Sequence, residues 1–226
     1  MRAHDLLWLN RPLRECLPDV PEWADPCWPV VVRRAIAPSG QTVPVGVRGL
    51  ARHQRHAGWL DIGRVARVVT PETLARNHIP AKGDPAHATT HPPACIETLT
   101  RIAPMLDETG LAWGPTGAVG FWLACGAPVL HAGSDLDLVV HAPRPLPADV
   151  IGLLQALPSH AGCRLDIQIE TGRGAFALAE WLAGRPRILL KTAAGPLLVA
   201  NPWETREQAA GTCAAPDTHP VSPGAR

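Results

Sequence analysis

The hydrophobic pattern of the first eighty residues predicts a small, mainly β-stranded module. An apolar run over residues 30–36 predicts a strand, the Pro-Ser-Gly sequence at 38–40 predicts a turn, and residues 43–48 supply a second strand for a hairpin. Thr70 followed by Pro71 is typical of a helix start, because threonine caps the first turn and proline fits its first position.

After residue 93 the pattern changes to alternating helical and strand-like segments. Ile96, Leu99, Ile102 and Leu106 recur at helical spacing, and Pro104 is expected to kink or delay that helix. The segments that follow are a strand near 113, a short helix at 121–124, a strand from 135, a helix at 148–157, a strand at 164–169, a helix at 175–183 and a hairpin of 187–192 with 197–200. This order predicts an α/β or α+β fold, with a mixed sheet flanked by helices.

A segment rich in proline, glycine and small polar residues spans positions 81–93 and predicts a linker. We therefore expect an N-terminal domain over residues 1–80 and a second domain over residues 94–204. Residues 205–226 lack hydrophobic periodicity, which predicts a flexible tail.

The second domain carries two acids, Asp135 and Asp137, at the start of an apolar, strand-like run. Residues i and i+2 of a strand point to the same face, so these carboxylates can converge on one spot and suit Mg²⁺. A third acid, Asp166, opens another strand-like run. If the two strands are neighbours, the three carboxylates surround one or two metal ions, an arrangement suited to phosphoryl or nucleotidyl transfer. An Asp-x-Asp pair also occurs often in turns and on solvated strand edges.

A glycine-rich stretch precedes the acids by about twenty residues. Residues 111–121 form a short apolar run that breaks into glycines at positions 114, 117 and 120. Glycines let a phosphate approach the backbone, and the free amides at the start of a following helix favour anions. The glycine turn and the acid strands together are more specific than either feature alone.

This combination resembles the nucleotidyltransferase superfamily of DNA polymerase beta, whose pattern is a Gly-Ser turn, a Ser-Asp-x-Asp strand and a distal acid. The longer runs at 43–49, 113–121, 134–138 and 166–171 are similar to one family in particular. That family is the phosphoribosyl-dephospho-CoA transferase of malonate decarboxylase, also called malonate decarboxylase holo-[acyl-carrier-protein] synthase. The resemblance covers roughly residues 1–203, and it implies a nucleotidyltransferase-like mixed sheet beside a small basic N-terminal domain.

The resemblance implies an enzyme that transfers a prosthetic group. The donor would be 2′-(5″-triphosphoribosyl)-3′-dephospho-CoA and the acceptor a serine of the acyl-carrier subunit of malonate decarboxylase. The product would be a phosphodiester, with pyrophosphate released. Asp135, Asp137 and Asp166 would be the catalytic residues and would hold Mg²⁺, with Asp166 facing the incoming hydroxyl.

The resemblance and the residue chemistry also indicate the substrate-binding residues. Arginine forks and lysine suit phosphates, and glycine-turn amides suit the β- and γ-phosphates. Lys191 is expected to neutralise the leaving pyrophosphate. Ala118 stands where the family pattern has a serine, so a hydroxyl contact is lost, while the backbone amide at this position can still bind phosphate. The full expected set is Gly117, Ala118, Ser134, Arg48, Arg52, Arg55 and Lys191.

Composition agrees with a globular protein, since 46% of the 226 residues are hydrophobic and 18% are charged. The net charge of +1 conceals an asymmetry. Residues 1–83 carry 12 Lys and Arg against 7 Asp and Glu, whereas residues 84–226 carry 9 against 13. A basic module beside an acidic one suits a protein that docks an anionic partner and handles phosphates, although such charges also occur on surfaces that are merely solvated.

The six cysteines show neither a Cys-x-x-Cys pair nor zinc spacing, which is typical of thiols in a reducing compartment. No apolar run is long enough for a signal peptide or for the roughly 18 residues of a membrane helix. None of the eight tryptophans lies in the basic-aromatic alternation that stacks bases. We therefore expect a cytoplasmic protein with neither membrane nor nucleic acid as partner.

Two other functions fit the same residues. One is a different Mg²⁺-dependent nucleotidyltransferase that uses ATP or UTP. The other is a non-catalytic domain that only binds a carrier protein, with Ala118 as a mark of its decay.

Overall fold

The computed structural model describes residues 1–77, 79 and 93–204, which form two β-sheets and several helices. The α+β fold expected from the sequence is confirmed. The first sheet has the strand order β4-β3-β2-β1-β5, and every pair in it is antiparallel. Its strands are β1 (Leu6–Leu9), β2 (Val30–Val32), β3 (Thr42–Arg48), β4 (Arg55–Asp61) and β5 (Val65–Val69).

The hairpin expected at residues 30–48 is present, with Val31 opposite Gly46 and Val32 opposite Val45. Strand β2 is shorter than expected, because it ends at Val32 and the chain bends at Arg34 and Ala35. Strands β1, β4 and β5 were not expected, since β1 is short and the exposed positions of β4 and β5 break the apolar pattern.

The second sheet has the order β11-β10-β9-β8-β7-β6, in which β7 and β8 are parallel and the other pairs antiparallel. It is therefore the mixed sheet that the sequence predicts. Its strands are β6 (Ala112–Pro115), β7 (Leu136–His141), β8 (Leu165–Glu170), β9 (Ala175–Ala177), β10 (Ile188–Thr192) and β11 (Gly195–Val199).

The helices are α1 (Leu13–Cys16), α2 (Pro71–Asn77), α3 (Ala94–Glu108), α4 (Gly117–Cys125), α5 (Ala148–Ala156) and α6 (Leu178–Leu182). The N–H of Thr73 donates to the Thr70 hydroxyl at 3.2 Å, which confirms Thr70 as the cap of α2. Helix α3 continues through Pro104 to Glu108. Helix α5 lies between the parallel strands β7 and β8 in the chain and supplies the crossover that parallel strands require.

The helix expected over residues 175–183 is wrong in its first turn. Ala175 and Phe176 belong to β9, where they pair with Glu170 and Ile169 of β8, and only Leu178–Leu182 is helical. Both paired residues are fully buried, so sheet pairing and burial override the helix propensity of alanine.

One face of the second sheet forms the largest core, because its apolar side chains pack with those of α3 and α5. Residues of adjacent strands whose Cα atoms lie opposite each other point to the same face of the sheet. The polar positions of β7 and β8, such as the paired Asp137 and Asp166, therefore lie together on the face opposite this core. A smaller junction cluster joins the two halves of the chain. Its buried members are Leu6, Val69, Leu74, Phe121, Ala127 and Val129.

Most of the predicted linker at 81–93 and the predicted tail at 205–226 lie outside the described residues, so the domain boundaries stay a prediction. Within the part of the chain that the structure describes, no helix is long and apolar enough to cross a membrane.

Candidate active site

Asp137 of β7 and Asp166 of β8 lie directly opposite each other in the parallel pair. Their carboxylates therefore project from the same face at adjacent positions. Asp135 lies just before β7, and its Oδ2 atom is 3.8 Å from Nη1 of Arg164. Among the described residues, no group of three or more His, Cys, Asp or Glu side chains is gathered tightly enough to hold a metal ion by itself.

The carboxylates nevertheless influence one another. Burial raises the pKa of Asp137, and the neighbouring charges of Asp166 and Asp135 raise it further, while Arg164 and Arg52 offset part of the effect. A cation held among these acids would relieve that repulsion. Mg²⁺ commonly uses only one or two carboxylates and takes its other oxygens from water and substrate phosphates, so this donor set fits it.

A tight turn at Gly117 places the start of α4 against Asp137. Gly117 has a left-handed backbone, with φ of 59°, and a Cβ atom there would overlap Asp137 Oδ2. The N–H of Thr116 donates to the Asp137 carbonyl at 2.8 Å, which ties the turn to β7. No side chain caps α4, so the first amides of this helix are available to an anion beside the carboxylates.

Arg48, at the end of β3, reaches this turn from the first sheet. It is only 8% exposed, its Nη1 donates to the Gly117 carbonyl at 3.1 Å, and its guanidinium lies 4.9 Å above the Phe121 ring. Burial, and then the charge of Arg55, lower the pKa of Arg48 to about 10, so it stays protonated at neutral pH. Its buried Nε has no hydrogen-bond partner among the described residues. Arg48 therefore braces the turn rather than standing free in solvent.

The other residues that the sequence analysis placed near the acids differ in burial and in contacts. Ser134 is 6% exposed, and its hydroxyl accepts the N–H of His131 at 2.9 Å, so it shapes the loop before β7. The Ala118 side chain packs against the junction cluster. Arg52 and Arg55 are exposed near the connection from β3 to β4, and burial of part of its side chain lowers the pKa of Arg55.

A cleft of about 900 Å³ lies between the two sheets and joins these parts. Gly117, Asp137 and Arg48 line one part of it, and Lys191 and Thr192 line another. Lys191 is in the same sheet row as Glu170, through Ala175. That row is four residues, or about 13 Å, along β8 from Asp166. The structure therefore brings the pair Asp137 and Asp166 together with the glycine turn and Arg48, and puts Lys191 at the other end of the cleft.

Two features of the cleft were missed by the sequence analysis. Arg34 makes a two-point ion pair with Glu170, at 2.6 and 3.2 Å, which links the first sheet to β8. His4 lines the cleft with a left-handed backbone, φ 76°, and burial followed by the charge of Arg34 lowers its pKa to about 4. The one sequence feature that points to this pair is the position of Glu170, which follows Asp166 by four residues and so lies on the same face of the strand. The positions of Arg34 and His4 follow from tertiary contacts that no local pattern contains.

Two family models match the chain, the phosphoribosyl-dephospho-CoA transferase MdcG N-terminal domain over residues 2–71 and the C-terminal domain over residues 79–202. The chain is 42% identical over 213 residues to the phosphoribosyl-dephospho-CoA transferase of Pseudomonas putida strain GB-1, covering 92% of this chain and 98% of the relative.

Two further relatives of the same name are similar in extent. That of Pseudomonas aeruginosa is 43% identical over 210 residues, covering 90% of this chain and 94% of the relative. That of Klebsiella pneumoniae is 42% identical over 213 residues, covering 91% and 98%. No solved structure matches the chain.

Proposed function

The chain belongs to the phosphoribosyl-dephospho-CoA transferase family and is a transferase, and we propose that it attaches the prosthetic group of malonate decarboxylase. The donor is 2′-(5″-triphosphoribosyl)-3′-dephospho-CoA. The acceptor is a serine hydroxyl of the apo acyl-carrier subunit. The hydroxyl oxygen attacks the phosphorus next to the ribose, a phosphodiester forms, and pyrophosphate leaves.

One observation carries the proposal. Asp137 and Asp166 are paired across β7 and β8, and the uncapped start of α4 lies directly against Asp137 at Gly117. A triphosphate needs both parts, because the amides bind phosphate oxygens and the carboxylates gather counter-charge beside them. The adjoining cleft supplies room for a donor much larger than a phosphate.

Each residue has a distinct part in this proposal. Asp135, Asp137 and Asp166 would hold Mg²⁺. When bound, the ion would neutralise the triphosphate and lower the pKa of an attacking hydroxyl. The Gly117 and Ala118 amides hold the leaving phosphates, and Asp166 accepts the proton of the serine hydroxyl. Positioning and charge neutralisation carry most of the catalysis in phosphoryl transfer.

The test is the intact mass of the apo acyl-carrier subunit after incubation with this protein, Mg²⁺ and the donor. We expect a mass gain equal to the donor minus pyrophosphate, lost in Asp137→Asn and kept in Asp149→Asn. Asp149 is a matched control, because it is an exposed carboxylate in the first turn of α5.

Other outcomes would identify the rival functions. A mass gain from ATP or UTP, with none from the proposed donor, would indicate a different nucleotidyltransferase. Stable binding of the carrier subunit without any transfer would indicate a non-catalytic domain.

A further inference from the structure

The end of the cleft away from the acids carries cations that no group among the described residues neutralises. Lys191, on β10 of the second sheet, and Arg33, just after β2 of the first, both line the cleft and are exposed. Neither side chain has a hydrogen bond or an ion pair within the described residues 1–77, 79 and 93–204. A Cβ atom on Gly46 would lie 3.1 Å from Arg33 Cδ, so the aliphatic part of the Arg33 side chain packs against the backbone of Gly46, which also lines the cleft.

The other charged groups at this end do not cancel those two cations. Arg34 is neutralised by its ion pair with Glu170. His4 is uncharged at neutral pH, because burial and the nearby cations Arg34 and Lys191 lower its pKa to about 4. This end of the cleft therefore keeps a net positive charge and is suited to an anion.

The donor carries a second anionic group at a matching separation. The donor carries a triphosphate on its second ribose. Its dephospho-CoA part contains a further diphosphate, between adenosine and the pantetheine arm. About twelve covalent bonds separate that diphosphate from the reacting phosphorus, or about 14 Å at roughly 1.2 Å for each bond of an extended chain. The row of Lys191 lies about 13 Å along β8 from the row of Asp166, and two strands across. The offset of two strands adds about 9.6 Å, so the backbone separation is about 16 Å, and a lysine side chain of about 6 Å is long enough to make up the difference.

We propose that Lys191 and Arg33 form a second phosphate subsite, which holds the diphosphate of the dephospho-CoA moiety while the triphosphate lies at Gly117 and Asp137. This inference rests on the proposed function. It assigns Lys191 to recognition of the donor rather than to neutralising the leaving pyrophosphate. It also explains how a site made for a triphosphate would prefer this donor to an ordinary nucleoside triphosphate.

The kinetic test compares the full donor with a truncated one, 2′-(5″-triphosphoribosyl)adenosine, which lacks the diphosphate and the pantetheine arm. For Lys191→Met we expect KM for the full donor to rise about tenfold with kcat unchanged, as for the loss of one charge-assisted contact. The truncated donor should react equally well with the wild type and the variant. Arg187→Met is the matched control, since Arg187 is exposed just before the same strand but does not line the cleft.

Two results would overturn the subsite. One is a Lys191→Met variant that is impaired equally with both donors, which would place Lys191 at the reacting phosphates. The other is a variant with wild-type kinetics on the full donor.

A binding measurement separates this inference from the proposed function. Calorimetric titration with dephospho-CoA, in the presence of Mg²⁺ and inorganic triphosphate, needs no turnover. Weaker binding by Lys191→Met and Arg33→Met, with unchanged binding by Arg187→Met, would support the subsite even if the wild type transferred nothing. Equal binding by all four proteins would refute the subsite even if the wild type were fully active.

Discussion

The Gly117 turn makes a sharp prediction, because the same substitution can be compared at both ends of α4. Alanine at position 117 must adopt a left-handed backbone, and its Cβ would overlap Asp137 Oδ2 while lying 2.8 Å from Cγ and 3.0 Å from Cβ of that residue. A rotation of the carboxylate relieves the contacts with Oδ2 and Cγ but leaves the Asp137 Cβ at 3.0 Å, which is still tighter than an ordinary van der Waals contact. The turn and β7 have to move apart.

The magnitude follows from two costs. A left-handed backbone costs an alanine about 1–2 kcal/mol, and forcing an extra methyl group into a packed site costs about 1–3 kcal/mol more. We therefore expect Gly117→Ala to lower the free energy of unfolding by about 2–5 kcal/mol. The Asp137 carboxylate has to rotate away from the new methyl group, and a displacement of about 1 Å at a reacting centre costs about 100-fold in rate, so transfer should fall by about that factor.

Gly126→Ala is the control. Gly126 ends α4 with φ of 69°, and nothing lies within 4 Å of the position its Cβ would take. This variant should lose about 1–2 kcal/mol of stability and keep nearly full activity. Urea unfolding and the carrier mass assay measure both quantities. Equal activity of the two variants would refute the argument that Gly117 is required for its contact with Asp137.

Three further predictions concern other positions. Asp137→Asn should abolish transfer yet raise Tm at pH 7. The pKa of Asp137 is raised in the folded protein, so ionising this carboxyl destabilises the folded state as pH rises, and asparagine removes that cost. A Tm gain that persisted in acid, where Asp137 is protonated in both the folded and the unfolded state, would contradict this. The folded-state pKa of His4 is depressed to about 4, so its contribution to stability, about 3 kcal/mol, is present above pH 6.5 and lost as pH falls towards 4. Asparagine tolerates the left-handed backbone at this position, so urea unfolding of His4→Asn should show a free energy of unfolding without that acid loss. An unchanged pH profile in the variant would contradict this. In Gly114→Ala the new Cβ would overlap the Pro71 carbonyl, so thermal melting should show a loss of 3 kcal/mol or more, at roughly the upper limit for overpacking, whereas Gly152→Ala, with open space in α5, should not be destabilised.

Local pattern was sufficient for the elements that bury one regular face. Helix α3 and strand β8 show clear periodicity, helix α5 and strand β7 are mainly apolar runs, and each lies close to its predicted position. Strand β9 was missed because its alanines favour a helix, and only its pairing with β8 makes it a strand. Pairing is a long-range property, so no window of sequence contains it.

The same distinction applies to the site. The sequence places Asp137 and Asp166 on strands, and the parallel pairing of those strands then makes the two acids neighbours. The bond from Arg48 to the Gly117 carbonyl spans 69 positions, and the Arg34–Glu170 pair spans 136. Contacts at such separations depend on how the two sheets meet, and neither arginine has a sequence signature that distinguishes it from an exposed one.

The junction cluster has a consequence for synthesis on the ribosome. Leu6, Val69 and Leu74 emerge early, but the residues that cover them, Phe121 and Val129, follow about fifty residues later. At roughly 5–20 residues per second, the apolar surface of the nascent first sheet stays bare for several seconds. That interval is long enough for nascent chains to associate with one another, so the yield of folded protein should depend on translation speed and on chaperones that shield this surface.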